Sequence, residues 1–291
     1  MNYYLQTLVD GIAQGSIYAL MAIGFAMIMG ILGLVTFTHG EVIMIGAFAG
    51  FYALTFLKTG IFVALVAGFA AAWILGLVIE LICYRRWPKG PDETWLITTI
   101  GVSTVLKSGA QIVLGTEQQL VPDVYTGFWT LGGVRILHIQ VFMLVVLFIL
   151  SAGLWLFLKK TRTGLELKAV SMDKTAAALL GVDVRRILVI GNAIGCALCG
   201  VSGVLLGVYY NSVHAVMGGS AGLKSFASAV LGGLTSIPGA AIGGILLGIF
   251  ENVGVLFFSS GWRDVIAFLI LIAVLLVRPS GLLGRKGAEK V

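Results

Sequence analysis

The sequence predicts an all-α fold, a polytopic transmembrane bundle of about eight to nine helices, and three observations carry that prediction. Hydrophobic residues make up 59% of the chain and charged residues 11%, with a mean hydropathy of +1.04. Soluble domains average about 45–50% apolar and about 25% charged. Apolar stretches of span length recur, each matching a hydrocarbon core about 30 Å thick at about 1.5 Å rise per residue. Runs such as Val141–Leu150 and Val265–Val277 lack the two-residue alternation of barrel strands. Helices therefore satisfy the backbone in lipid. A soluble fold of this length could not bury so much apolar surface.

The spans are expected at 11–33, 36–57, 61–83, 95–114, 138–158 and 187–208, then a Gly-interrupted pair at 223–235 and 238–257, and last 262–277. Residues 2–10, with Tyr3, Tyr4 and Asp10, read as a separate short interfacial helix. The start of the chain lacks the basic region of a cleaved signal peptide, so the first span is expected to be retained. The whole of 1–291 reads as one membrane domain with an outer loop at 115–137, an inner loop at 159–186 and a tail at 278–291.

Charge placement orients these spans. No Lys or Arg precedes Lys58, and 14 of the 19 fall in three stretches. These hold Arg85, Arg86 and Lys89; Lys159, Lys160, Arg162, Lys168, Lys174, Arg185 and Arg186; and Arg278, Arg285, Lys286 and Lys290. The positive-inside rule places all three in the cytoplasm, which puts 115–137 outside and the tail inside. Basic loops beside anionic lipid account for the net charge of +6. No soluble module gathers that charge into a nucleic-acid face, so nucleic acid is not an expected partner.

The inner loop is more than a linker. Lys168–Gly181 has no internal Pro or Gly and is rich in Ala and Leu, which predicts a helix of about three turns. Met172, Ala176, Leu179 and Leu180 give it an apolar stripe suited to a membrane surface or a partner's groove.

Glycine, at 40 residues, recurs in GxxxG pairs: Gly11/Gly15, Gly46/Gly50, Gly191/Gly195, Gly203/Gly207, Gly239/Gly243 and Gly244/Gly248. In lipid, small residues let helix backbones approach closely, so these predict tight packing. The glycine-interrupted texture of 33–50 resembles that of 218–248, a hint of inverted half-repeats and of a transport pathway.

Charge inside a span costs about 2.5–3.5 kcal/mol on insertion scales. His39 and Glu41 open a span, which fits either a helix start with Glu at the positive dipole end or the lining of a path. Lys58 and Glu80 lie near span ends, where snorkelling accounts for them. Lys107 is deeper and is expected to seek a carboxylate such as Glu251. Lys224 follows a glycine-rich stretch, yet Leu223 interrupts the Gly-Lys-Ser/Thr order a phosphate loop needs. Cys196 and Cys199 form a CxxC inside an apolar run, which reads as small packing residues rather than a redox or metal pair. No HExxH occurs, and His39, His138 and His214 cannot be assembled with Ser and an acid in a soluble pocket. No enzyme and no cofactor is expected.

Several motifs resemble the membrane-spanning permease subunits of bacterial branched-chain amino-acid ABC importers. Gly11-Ile-Ala-Gln-Gly15-Ser-Ile-Tyr18-Ala-Leu20 looks like the first-span signature, and Phe37-Thr38-His39-Gly40-Glu41 like the Asn-Phe-Ala-His-Gly-Glu motif, with Thr36 and Thr38 in place of Asn and Ala. Thr163-Gly164, Lys168-Ala169, Asp173, Ala176-Ala177 and Gly181 look like the segment that docks on the ATPase. Ala229–Ala240 and Arg278–Gly284 match most specifically. The resemblance implies an importer permease in the bacterial inner membrane that works by alternating access, with Gly164, Lys168, Ala169, Asp173, Ala177 and Gly181 in its ATPase-coupling helix. It implies two ATP-binding subunits, a second homologous permease or a second copy of this one, and a periplasmic substrate-binding protein. His39, Glu41, Lys107 and Glu251 are candidate path residues. The threonines leave urea, amides or small organic acids as alternative substrates, and the half-repeat texture with Glu41 leaves a stand-alone secondary transporter as an alternative mechanism.

Overall fold

In the computed structural model, residues 2–33, 36–58, 60–84, 92–124, 127–131, 133–278 and 280–284 are described. The basic residues Arg85, Arg86, Lys89, Arg285, Lys286 and Lys290, and so most of the expected tail, lie outside the described residues.

Eleven α-helices and four short strands occur among the described residues. In chain order they are α1 (Asn2–Leu32), α2 (His39–Thr55), α3 (Ile61–Ile79), α4 (Asp92–Leu114), β1 (Gln119–Leu120), β2 (Phe128–Leu131), β3 (Val134–Leu137), α5 (His138–Lys160), α6 (Arg162–Met172), α7 (Lys174–Leu179), α8 (Val184–Tyr209), β4 (Ser212–Val213), α9 (Met217–Gly232), α10 (Ile237–Phe257) and α11 (Arg263–Val277). A π-helical turn, Glu80–Tyr84, extends α3. A helix stands at each of the expected apolar segments, so the protein is an all-α polytopic membrane protein. Six of these helices are long and apolar enough to cross a bilayer. At 17, 16 and 15 residues, α2, α9 and α11 fall short of that length.

Two sequence expectations need correction. Residues 2–10 are not a separate helix but the first turns of α1. Their polar groups are satisfied in place: Gln6 Nε2 donates to Asp10 Oδ1 at 3.1 Å, and Gln140 Nε2 donates to the same oxygen at 2.7 Å. The inner-loop helix is not one segment either. It divides at Asp173, whose extended backbone ends α6 while its carboxylate accepts from the N–H groups of Thr175 and Ala176 and so starts α7. A short acceptor side chain competes for backbone donors best at a helix N-terminus, which is why the break falls there.

The chain divides into two compact units. The first comprises Met1–Ala26, Tyr125–Leu147 and Lys224–Val291. In it, α1 crosses α10 where glycines remove the side chains: a Cβ added at Gly15 would meet Ile245 Cα at 2.7 Å, and one at Gly248 would strike the backbone of Gly15. The β2–β3 hairpin pairs Phe128 with Leu137 and Thr130 with Arg135.

The second unit comprises Met27–Val124 and Phe148–Leu223. Its centre is a layer of α2, α3 and α8. A Cβ at Gly46 would strike Gly200, and one at Gly200 would strike Gly68 and Ala72. Asn192 Nδ2 donates to the Gly76 carbonyl at 2.8 Å, and Cys196 lies against Gly76. In hydrocarbon, burying apolar side chains gains little over lipid, so close backbone contact and a few interhelical hydrogen bonds do the holding.

Candidate functional site

The inner loop is part of the second unit. Thr161 caps α6 by accepting from the Gly164 N–H at 2.9 Å. Gly164 is buried, and a Cβ there would run into Phe157 and Leu158, so the turn from α5 into α6 requires glycine. Ala177 is buried and fixes α7 in place, while Lys168 and Asp173 are exposed and Ala169 is partly so. Gly181 follows α7 at φ +84°, a left-handed backbone that costs a Cβ-bearing residue about 1–2 kcal/mol. Met172, Leu179 and Leu180, which carry the apolar stripe, are exposed.

His39, Glu41 and Lys107 also belong to the second unit. His39 Nε2 lies 3.2 Å from Cys199 Sγ, and both side chains are buried. Gly40, between His39 and Glu41, packs against the backbone of Gly218 so closely that a Cβ would collide with its carbonyl. Ser103 Oγ donates to Glu41 Oε1 at 3.2 Å, while Glu41 Oε2 is buried and has no hydrogen-bond partner among the described residues. Lys107 is exposed, and its charge reaches Glu41.

Glu251 belongs to the first unit, and the partner proposed for it needs correction. It pairs with Lys224: Lys224 Nζ lies 2.9 Å from Glu251 Oε1 and 2.9 Å from Asp264 Oδ1. The side chain of Glu251 is 0% exposed, that of Lys224 11% and that of Asp264 55%. Lys224 Nζ also donates to Tyr18 Oη at 3.2 Å. Gln14 Nε2 donates to Tyr18 Oη and, at 3.3 Å, to Glu251 Oε1. Gln14 Oε1 accepts from Asn252 Nδ2 at 2.8 Å and from Arg263 Nη1 at 2.9 Å. Two cations and two carboxylates thus sit among neutral donors on α1, α9, α10 and α11. The buried part of this cluster is the Lys224–Glu251 pair, and a buried charge persists when an opposite charge and hydrogen bonds meet it. Nothing in it is arranged as nucleophile and base, and among the described residues no three His, Cys, Asp or Glu side chains could hold a metal.

A family model described as the branched-chain amino acid transport system permease component matches residues 7–275. The high-affinity branched-chain amino acid transport permease BraD of Pseudomonas aeruginosa is 40% identical over 99% of this chain and 98% of its own length. The corresponding LivH permease of Escherichia coli K12 is 37% identical over the same shares. The chain belongs to the branched-chain amino-acid permease family. More distantly, the ribose import permease RbsC of Escherichia coli K12 is 25% identical over 94% of this chain and 86% of its own length.

The permease's two most specific motifs prove to be one structure. Leu282 N–H donates to the Leu231 carbonyl and Leu283 N–H to the Gly232 carbonyl, each at 2.9 Å. The segment after α11 therefore satisfies carbonyls that α9 leaves unpaired at its C-terminus. Gly281 at φ +73° and Gly233 at φ +115° permit the approach, since a Cβ at Gly281 would meet the Val230 carbonyl at 2.5 Å. Reading residues one by one missed the roles of Gln14, Tyr18, Lys224, Asn252, Arg263 and Asp264. Gln14 and Tyr18 carried a signal, since both fall in the first-span signature.

Proposed function

We propose that this permease is the transmembrane subunit of an ATP-driven importer for branched-chain or other small amino acids. What carries the proposal is end-to-end similarity, at 37–40% identity, to two permeases named for that transport. Two ATP-binding subunits hydrolyse ATP on separate chains, a periplasmic binding protein delivers substrate, and a second permease, homologous or identical, completes the membrane part in the bacterial inner membrane. The bundle has eight to nine spans, α2, α9 and α11 included, arranged as inverted half-repeats. Alternating access moves the substrate past His39, Glu41, Lys107 and Glu251, with the cytoplasmic loop 159–186 as the coupling element.

Support for the coupling role comes from the contrast between a capped, glycine-bounded frame and the exposed Met172, Leu179 and Leu180. The test is ATP-driven leucine uptake by the reconstituted complex. Met172→Ser with Leu179→Ser should abolish uptake and ATPase co-purification while the permease stays folded. Unchanged uptake would remove the coupling role. Uptake by the purified permease alone under an ion gradient would make it a secondary transporter, and uptake of urea or amides without leucine would reassign the substrate.

A further inference from the structure

The β2–β3 hairpin has a graded surface. Phe128 and Leu137 face each other across the ladder, as do Thr130 and Arg135. Because side chains alternate along a strand, these four share one face. Phe128 and Leu137, at the base of the hairpin, are apolar and exposed. Thr130 and Arg135, two residues towards the turn and about 6–7 Å further along, are exposed and polar. The Arg135 guanidinium leans back over the Phe128 ring at 5.5 Å. Trp129, 54% exposed, packs edge-on against His138 at 4.7 Å.

The position of this face identifies what covers it. Leu137 runs straight into His138, the first residue of α5, a 23-residue candidate span that buries little of its own surface. Lys159 and Lys160 stand at the other end of that helix. The apolar pair of the hairpin is therefore the one beside the start of α5, and the polar pair lies nearer the turn. The hairpin is also held firmly. Gln6 Nε2 donates to the Arg135 carbonyl at 2.9 Å, and the Arg135 N–H donates to Gln6 Oε1 at 2.8 Å. Those two bonds occupy the outer edge of β3 where an incoming peptide strand would pair, so strand addition is blocked at Arg135. On the same first turns of α1, Tyr3 and Tyr4 are exposed. Aromatic rings with a polar or cationic neighbour, at the end of a span, suit the headgroup layer, where ring and phosphate are both satisfied.

We infer that the β2–β3 hairpin, with the first turn of α1, is an interfacial anchor whose partner is the phospholipid headgroup layer at the end of α5 away from Lys159. Phe128 and Leu137 on one face of the hairpin base, and Trp129 on the other, enter the ester region at the same depth, and Arg135 meets the phosphodiesters.

The test uses the full chain in liposomes containing phospholipids brominated either near the ester or deep in the acyl chain. The contribution of Trp129 is the difference between the chain and its Trp129→Phe variant. Shallow bromines should quench that component at least about twofold more than deep ones, the depth at which interfacial Trp residues sit. Aqueous iodide should quench it weakly. A spin label on Thr130→Cys should report the same level by its accessibility to lipid-soluble oxygen and to an aqueous nickel chelate. Strong iodide quenching without bromolipid quenching would overturn the anchor. So would iodide protection that arises only when the substrate-binding protein is added, which would assign the face to protein docking.

Discussion

The two units solve the problem of cohesion in hydrocarbon by different means. In the second, α2, α3 and α8 meet backbone to backbone at Gly46, Gly68, Gly200 and Gly203, with Asn192 as a cross-helix hydrogen bond. In the first, glycines also let α1 and α10 approach, but a charged cluster on Lys224, Glu251, Arg263 and Asp264 is added, with Gln14 and Asn252 as its neutral frame. The glycine layer depends on shape, whereas the charged cluster depends on every member keeping its partner. Shape tolerates no added atom, and charge tolerates no lost one.

The largest expected effect is on the shape side. Gly200→Leu drives a side chain into the Gly68 backbone and Ala72. Extra methylenes in a packed core usually cost about 1–3 kcal/mol, and a whole Leu side chain driven against the Gly68 backbone goes beyond that range and beyond the broken ion pair that follows. Gly200→Leu should leave no monodisperse protein after detergent extraction, whereas Gly101→Ala in α4, where nothing lies within 4 Å, should keep or raise the melting temperature. If the two behaved alike, the glycine layer would not be what holds the second unit.

The charged cluster makes the next prediction. Lys224→Met leaves Glu251 buried and unpaired, a loss of about 3–5 kcal/mol for a broken buried pair. The double variant Lys224→Met with Glu251→Leu should recover much of that loss, which a double-mutant cycle on thermal unfolding would read directly. Additive losses would mean that the pair is not a unit.

A smaller effect is expected from Gly281→Ala, which strains a left-handed position and crowds the Val230 carbonyl. A substitution of this kind costs more than the about 0.4–1 kcal/mol gained where Gly→Ala fits the backbone. It should loosen the end of α9, measured as faster amide exchange around Leu282 and Leu283. The smallest change in stability belongs to Asp173→Ala, which removes the α7 cap at about 1 kcal/mol. Amide exchange at Thr175 and Ala176 should rise with little change in melting temperature, so any large fall in ATP-driven uptake would be a coupling effect and not a loss of fold.

Much of this architecture was legible in the residues. Apolar runs between basic stretches mark the spans, because hydrocarbon thickness and the cost of charge act on composition alone. The inner loop's helical character was visible from its Ala and Leu content, but its division was not. Asp173 within a helical pattern reads as a tolerated polar residue until its carboxylate is found on the α7 donors. The continuity of α1 through Tyr3 and Tyr4 was missed because Asp10 finds its partner on Gln140, 130 residues away. Depth in its span suggests that Lys107 seeks a carboxylate such as Glu251, but depth does not decide which cation Glu251 meets. The cation is Lys224, dismissed from a phosphate loop on sound grounds but with no role left for it.

The sequence by itself determined that this chain lives in a bilayer, that its segments are helical and which family it resembles, since each follows from residue type and order along the chain. Only the tertiary structure decided which charges are paired, which glycines face backbone, and that Leu282 and Leu283 close the end of α9. Those outcomes depend on distances between residues far apart in the chain. No local pattern encodes such distances, because an ion pair or a backbone contact exists only once two helices have met.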